Sequence, residues 1–192
     1  MLYKCNSRMI FLGIFFILIN AIFSQCDDGY VELNNQCYYQ TDLNVLQQFI
    51  NNSQSGINPP PYDMSPLSLG VQGWSNGRLV EFKCSTIYPT YLDYELSGDV
   101  PSSISSLDEL TKLYINANEL TNLPDNLGDL VNLNVLELGG NNFETIPSSI
   151  GELSNLEWFY IYNNQITYIP ESICNISENL SNLSIEYNLL CN

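Results

Sequence analysis

The chain has 192 residues, no His, and 5 Lys+Arg against 21 Asp+Glu, for a formal net charge of −16. Such a surface repels phosphate backbones, and nucleic-acid affinity needs Lys and Arg to displace counterions; nucleic acid and anionic membranes are disfavoured as partners. The absence of His removes Ser-His-Asp and Cys-His catalysis and every His-ligated metal site. Carboxylate pairs, Cys and Lys remain as the groups a catalyst could use.

Residues 1–24 read as a secretory signal peptide. Lys4 and Arg8 precede an apolar run from Met9 to Ile19. That run is too short for a bilayer span, which takes about 20 residues. Cleavage after Ser24 leaves Gln25 as the new terminus, and the predicted location is secreted or extracellular. A membrane enters only if this segment stays uncleaved as an anchor. Cleavage also removes Cys5, Lys4 and Arg8, so that Arg78, Lys83 and Lys112 become the remaining basic residues. Of the other cysteines, spacing suggests two local disulfides, Cys26–Cys37 and Cys174–Cys191, and leaves Cys84 unpaired. Four sequons, at Asn51, Asn175, Asn179 and Asn182, are candidate glycosylation sites in a eukaryotic secretory pathway.

Residues 25–77 are expected to form an N-terminal cap. Within it, Asp42 to Ile50 places Leu43, Leu46 and Ile50 on one helical face, with Val45 and Phe49 beside it. Thr41 is the expected N-cap. Pro59-Pro60-Pro61 then favours an extended surface loop.

From residue 78 to 192 the chain repeats. Leu110, Leu113, Ile115, Asn118, Leu120, Leu123 and Pro124 set a pattern. Leu133, Leu136, Leu138, Asn141, Phe143, Ile146 and Pro147 restate it. Leu156, Phe159, Ile161, Asn164, Ile166, Ile169 and Pro170 restate it again. Leu180, Leu183, Ile185, Asn188 and Leu190 form a last copy after one extra residue. Upstream, Leu79, Phe82 and Cys84 start a degraded copy whose second half begins at Leu96, after an insertion at 85–95. Cys84 stands where other copies have Ile or Leu, which predicts a buried thiol. The spacing Leu-x-x-Leu-x-Leu implies a short strand with alternate residues inward. The Asn at fixed offset can bond the backbone where the chain turns. Each unit then returns through a short helical or 3₁₀ turn, and units must stack to bury their apolar faces.

These residues resemble a leucine-rich repeat protein. Leu96-Ser-Gly-Asp-Val-Pro resembles the plant-type repeat, and the later copies resemble the Leu-Pro-x-x-Ile-Gly variety. Asp42–Ile50, Trp74 and Gly77-Arg-Leu-Val are similar to the N-terminal cap of plant-type members. The expected fold is an α/β solenoid with about five short parallel strands, a helical N-terminal cap and a C-terminal cap closed by Cys174–Cys191.

In that architecture the residues between framework positions face outward on the concave side. They include Lys112 and Tyr114, Glu137, then Trp158, Tyr160 and Tyr162 on one strand, and Tyr187. Exposed Trp and Tyr bury much area at small entropic cost, as binding hot spots do. A glycan at Asn182 would crowd this face. The resemblance implies a recognition module for a protein, peptide or glycan. A structural or adhesive extracellular surface protein is the second reading. A hydrolase using paired carboxylates among Glu137, Glu157 and Glu186 is the third, and an enzyme is not the expectation. Asp27-Asp28 and Asp93–Asp99 lack the spaced Asp/Asn loop of a calcium site; no metal or cofactor is predicted.

Overall fold

The computed structural model describes residues 26–87 and 92–190. The expected leader at 1–24 and the thiol of Cys191 lie outside them. The chain enters through a hairpin of β1 (Tyr30–Leu33) and β2 (Gln36–Tyr39). Its two-residue turn, Asn34–Asn35, has positive φ at both positions (54° and 61°), as a turn matching the twist of the strands requires. A Cys26–Cys37 disulfide ties the incoming chain to β2.

Helix α1 (Gln40–Asn52) follows without a loop and buries Leu43, Val45, Leu46, Phe49 and Ile50. Phe49 packs on Phe82 with ring centroids 5.5 Å apart. Thr41 is not the N-cap. The strand runs directly into the helix, so Tyr39 takes the cap position with extended backbone and no side-chain cap bond. Thr41 lies inside the first turn.

A second hairpin joins β3 (Val71–Ser75) to β4 (Arg78–Lys83) through Asn76–Gly77, again with positive φ at both positions. After the insertion come β5 (Ser97–Asp99), β6 (Lys112–Tyr114), β7 (Glu119–Asn122), β8 (Val135–Glu137), β9 (Trp158–Tyr160) and β10 (Asn182–Ser184). One sheet has the order β10-β9-β8-β6-β4-β3. Strands β4, β6, β8, β9 and β10 are parallel, and β3 adds antiparallel at the outer edge. Strands β5 and β7 form a separate parallel pair, which the repeat pattern did not predict.

The framework residues build one core. Leu79, Phe82 and Cys84 of the first copy are fully buried with Leu110, Leu113, Ile115, Leu133, Leu136, Leu138, Leu156, Phe159 and Ile161. Burial pushes the Cys84 thiol pKa up, which keeps it protonated. Opposite the sheet, 3₁₀ turns at Ser102–Ser106, Leu127–Asp129, Ser148–Glu152 and Glu171–Asn175 stack on one another. Pro101, Pro147 and Pro170 immediately precede three of them with extended backbone.

This stacking explains two glycines. A Cβ on Gly128 would stand 2.2 Å from the Ser149 carbonyl oxygen, and one on Gly151 would stand 2.3 Å from that of Ser172. The neighbour in each case is backbone of the next repeat. Gly151→Ala is therefore expected to cost about 2 kcal/mol or more through overpacking, read as a lower urea midpoint. An unchanged midpoint would contradict such close stacking. The equivalent position in the last copy is Cys174, where no described repeat follows and a side chain fits.

The last copy differs from expectation. Cys174 is an exposed thiol, and the expected Cys174–Cys191 closure involves Cys191, which lies outside the described residues. The framework there is looser: Leu183 is 47% exposed, while Leu180, Ile185 and Leu190 are only partly buried. Among the described residues nothing stacks beyond β10, and this end of the core keeps contact with solvent.

Candidate functional site

The register of the sheet puts outward residues in rows. One row runs Glu81, Lys112, Val135, Trp158, Asn182, and the next runs Lys83, Tyr114, Glu137, Tyr160, Ser184. Neighbours along a row are about 5 Å apart. Inward residues between the rows (Phe82, Leu113, Leu136, Phe159) are buried, which fixes the direction of the others.

A groove of about 520 Å³ lies across β6, β8 and β9. Lys112, Tyr114, Glu137, Trp158 and Tyr160, all expected on this face, line it together. Asn134, Val135 and Glu157 complete it. Trp158 is 42% exposed. Its ring meets Tyr160 edge-on, with centroids 6.2 Å apart. Lys112 has no ion-pair partner among the described residues, whereas Arg78 is paired to Asp42 and Asp108, and Lys83 to Glu81.

The electrostatics of the groove follow from partial burial. Desolvation raises the pKa of Glu137. Desolvation also raises that of Tyr114, against the opposing pull of Lys83. The Lys83 ammonium lies 5.1 Å from the Tyr114 ring centroid. Lys83 and Glu81 extend the face onto β4, and the sequence carried their signal. Leu79-x-x-Phe82-x-Cys84 gives them the same offsets that Lys112 and Tyr114 have in the next copy.

Two expected members lie elsewhere. The Tyr162 ring covers Gly139, where a Cβ would come within 2.5 Å of it. Burial, with Glu137 and Glu186 nearby, raises the Tyr162 pKa. Tyr162 does not line the groove. Tyr187 is 80% exposed and has φ 57°. It aligns with Ala117, Gly140 and Asn163, the left-handed turn after each strand, and so does not flank Trp158 on the strand face.

Of the three carboxylates considered for hydrolysis, Glu137 and Glu157 line the groove and Glu186 does not. Glu186 accepts a hydrogen bond from the Ser184 hydroxyl at 2.7 Å. No group of three or more Cys, Asp or Glu among the described residues could hold a metal ion. The four sequon asparagines are exposed. Asn179 already uses its amide, donating to the Ser154 carbonyl at 2.8 Å as Asn155 does to Val131. Asn182 stands next to Trp158 in the same row.

The family model described as leucine rich repeat matches residues 108–166. No curated protein sequence matches the chain. Among solved structures, the chain is similar to the leucine-rich repeat ectodomain of the receptor kinase SOBIR1 from Arabidopsis thaliana. That likeness has 23% identity, 81% coverage of this chain, 83% of that chain and a TM-score of 0.61. The BIR2 ectodomain from Arabidopsis thaliana is 21% identical over 79% of this chain and 91% of that one, with a TM-score of 0.53. These two likenesses show the fold. The plant peptide hormone receptor RGFR1, solved in complex with RGF2, is 26% identical with a TM-score of 0.51. There the match covers 57% of this chain but spans only 17% of the receptor. The 23-residue framework, its stacked parallel strands and the family match agree: residues 108–166 are leucine-rich repeats, and the parallel sheet carries that repeat fold beyond them on both sides.

Proposed function

We propose that this chain is an extracellular recognition module that binds a protein or peptide through the concave groove. One observation carries the reading: a half-exposed tryptophan stands in a groove on the sheet face, beside two tyrosines and an unpaired lysine. Nothing in the solenoid core calls for these side chains there. Burying Trp and Tyr against a partner supplies area at low entropic cost, and Lys112 offers one charge to fix the register of a bound chain. The complex of RGFR1 with RGF2 supports a peptide as the partner class. The Cys26–Cys37 disulfide fits an oxidising compartment.

The site residues in this reading are Lys112, Tyr114, Glu137, Trp158 and Tyr160. A displayed library of random 12-residue peptides, selected against the wild-type chain, tests it. Selected peptides are expected to lose about 30-fold or more in affinity on the Trp158→Ala, Tyr160→Ala double variant. Peptides that bind both proteins equally would overturn the assignment.

A further inference from the structure

A second pocket, of about 710 Å³, lies on the N-terminal hairpin, away from the groove. Tyr30, Tyr38 and Trp74 wall it, Asp27 and Gln36 border it, and the Cys26–Cys37 disulfide holds its floor in place. Its volume is in the range of small-molecule sites. Tyr38 and Trp74 meet at 79° with centroids 4.9 Å apart, which makes an aromatic corner.

We propose that this pocket binds the quaternary ammonium group of a small organic cation. Three observations lead there. First, the polar groups of the two rings that form the corner, Tyr38 and Trp74, are already satisfied. The Tyr38 hydroxyl donates to Gln36 Oε1 at 2.6 Å, and Trp74 Nε1 donates to Gln72 Oε1 at 3.0 Å. What the walls offer a ligand is ring surface, and a methylated ammonium needs no hydrogen bonds. Ring faces carry negative potential and attract such a group. Second, the exposed Asp27 carboxylate adds charge of the right sign at the rim, on a strongly acidic protein. Third, the same aromatic cluster already holds a cation. The Arg78 guanidinium lies 4.3 Å over the Tyr39 ring, and Tyr39 packs on Tyr30 with centroids 5.1 Å apart. Asp42 and Asp108 pair with Arg78, so its charge is offset before it reaches the pocket.

Choline and its neutral isostere 3,3-dimethylbutan-1-ol separate this proposal from simple apolar binding. Each is titrated into the nitrogen-15-labelled chain, and the two indole N–H signals are followed. Choline is expected to shift the Trp74 signal saturably, with the isostere about fivefold weaker or more. Asp27→Asn, at an exposed position, is expected to weaken choline and leave the isostere unchanged. Equal affinity for the two probes, no response at Trp74, or a response only at Trp158 would overturn the proposal.

Discussion

Replacing Arg78 by Leu is expected to lower the unfolding free energy by about 3–5 kcal/mol, because it leaves a buried carboxylate without its partner. Asp42 is fully buried in the first turn of α1. It accepts from the Leu79 backbone N–H at 2.8 Å and from Arg78 Nε at 3.0 Å and Nη2 at 3.3 Å. Arg78 also contacts Asp108 and lies over Tyr39. Burial pulls the guanidinium pKa down, but its hydrogen bonds to Asp42 and Asp108 outweigh that and raise it overall. One side chain thus ties the helix, the hairpin and the first repeat together. Asp108 is exposed, so Asp108→Asn is expected to cost under about 1 kcal/mol. Urea midpoints of the two variants make the comparison. An Arg78→Leu loss no larger than that of Asp108→Asn would mean that the Arg78–Asp42 ion pair does not hold helix and repeats together.

The asparagine ladder predicts an effect of similar size at the other level of the fold. Asn141 donates to the carbonyls of Ile115 at 2.9 Å and Leu138 at 3.0 Å, and accepts from the Leu120 N–H at 3.1 Å. Asn118 and Asn164 make the same kind of bridge, and all three are buried. Asn141→Leu keeps the branched shape, with bulkier methyl groups, but orphans one donor and weakens two acceptors. At about 1–3 kcal/mol for each buried group left unsatisfied, the expected loss is about 3–5 kcal/mol. Asn188 makes equivalent bonds in the last copy but is only half-buried. Water can replace its bonds, so Asn188→Leu is expected to cost less than half as much. Equal losses at the two positions would contradict burial as the cause.

The repeats were legible because they are local. Alternation within each Leu-x-x-Leu-x-Leu fixes which side chains face the core, and the Asn offset fixes the turn. Residues as far upstream as Leu79, Phe82 and Cys84 obeyed the same rule through a long insertion. Five groove residues followed from it directly. What did not follow depends on partners far apart in sequence. Asp42 and Arg78 meet only once α1 lies against β4. Pairing of β5 with β7 needs the backbone of two successive repeats side by side. The aromatic pocket joins β1 and β2 to Trp74, across the whole of α1 and the proline loop. Tyr187 lies one residue past the strand pattern, in a left-handed turn that depends on backbone conformation rather than on alternation. Cys174 occupies the outward glycine position of its 3₁₀ turn, where its thiol is exposed.

The chain holds two tryptophans, one in the concave groove and one in the hairpin pocket. Their indole N–H signals therefore report separately on the two surfaces. The most direct test of recognition through the concave face is to titrate a library-selected peptide into the nitrogen-15-labelled chain. The groove account predicts that the Trp158 signal moves and saturates while the Trp74 signal stays. Movement of Trp74 alone, or of neither, while the peptide binds, would contradict it.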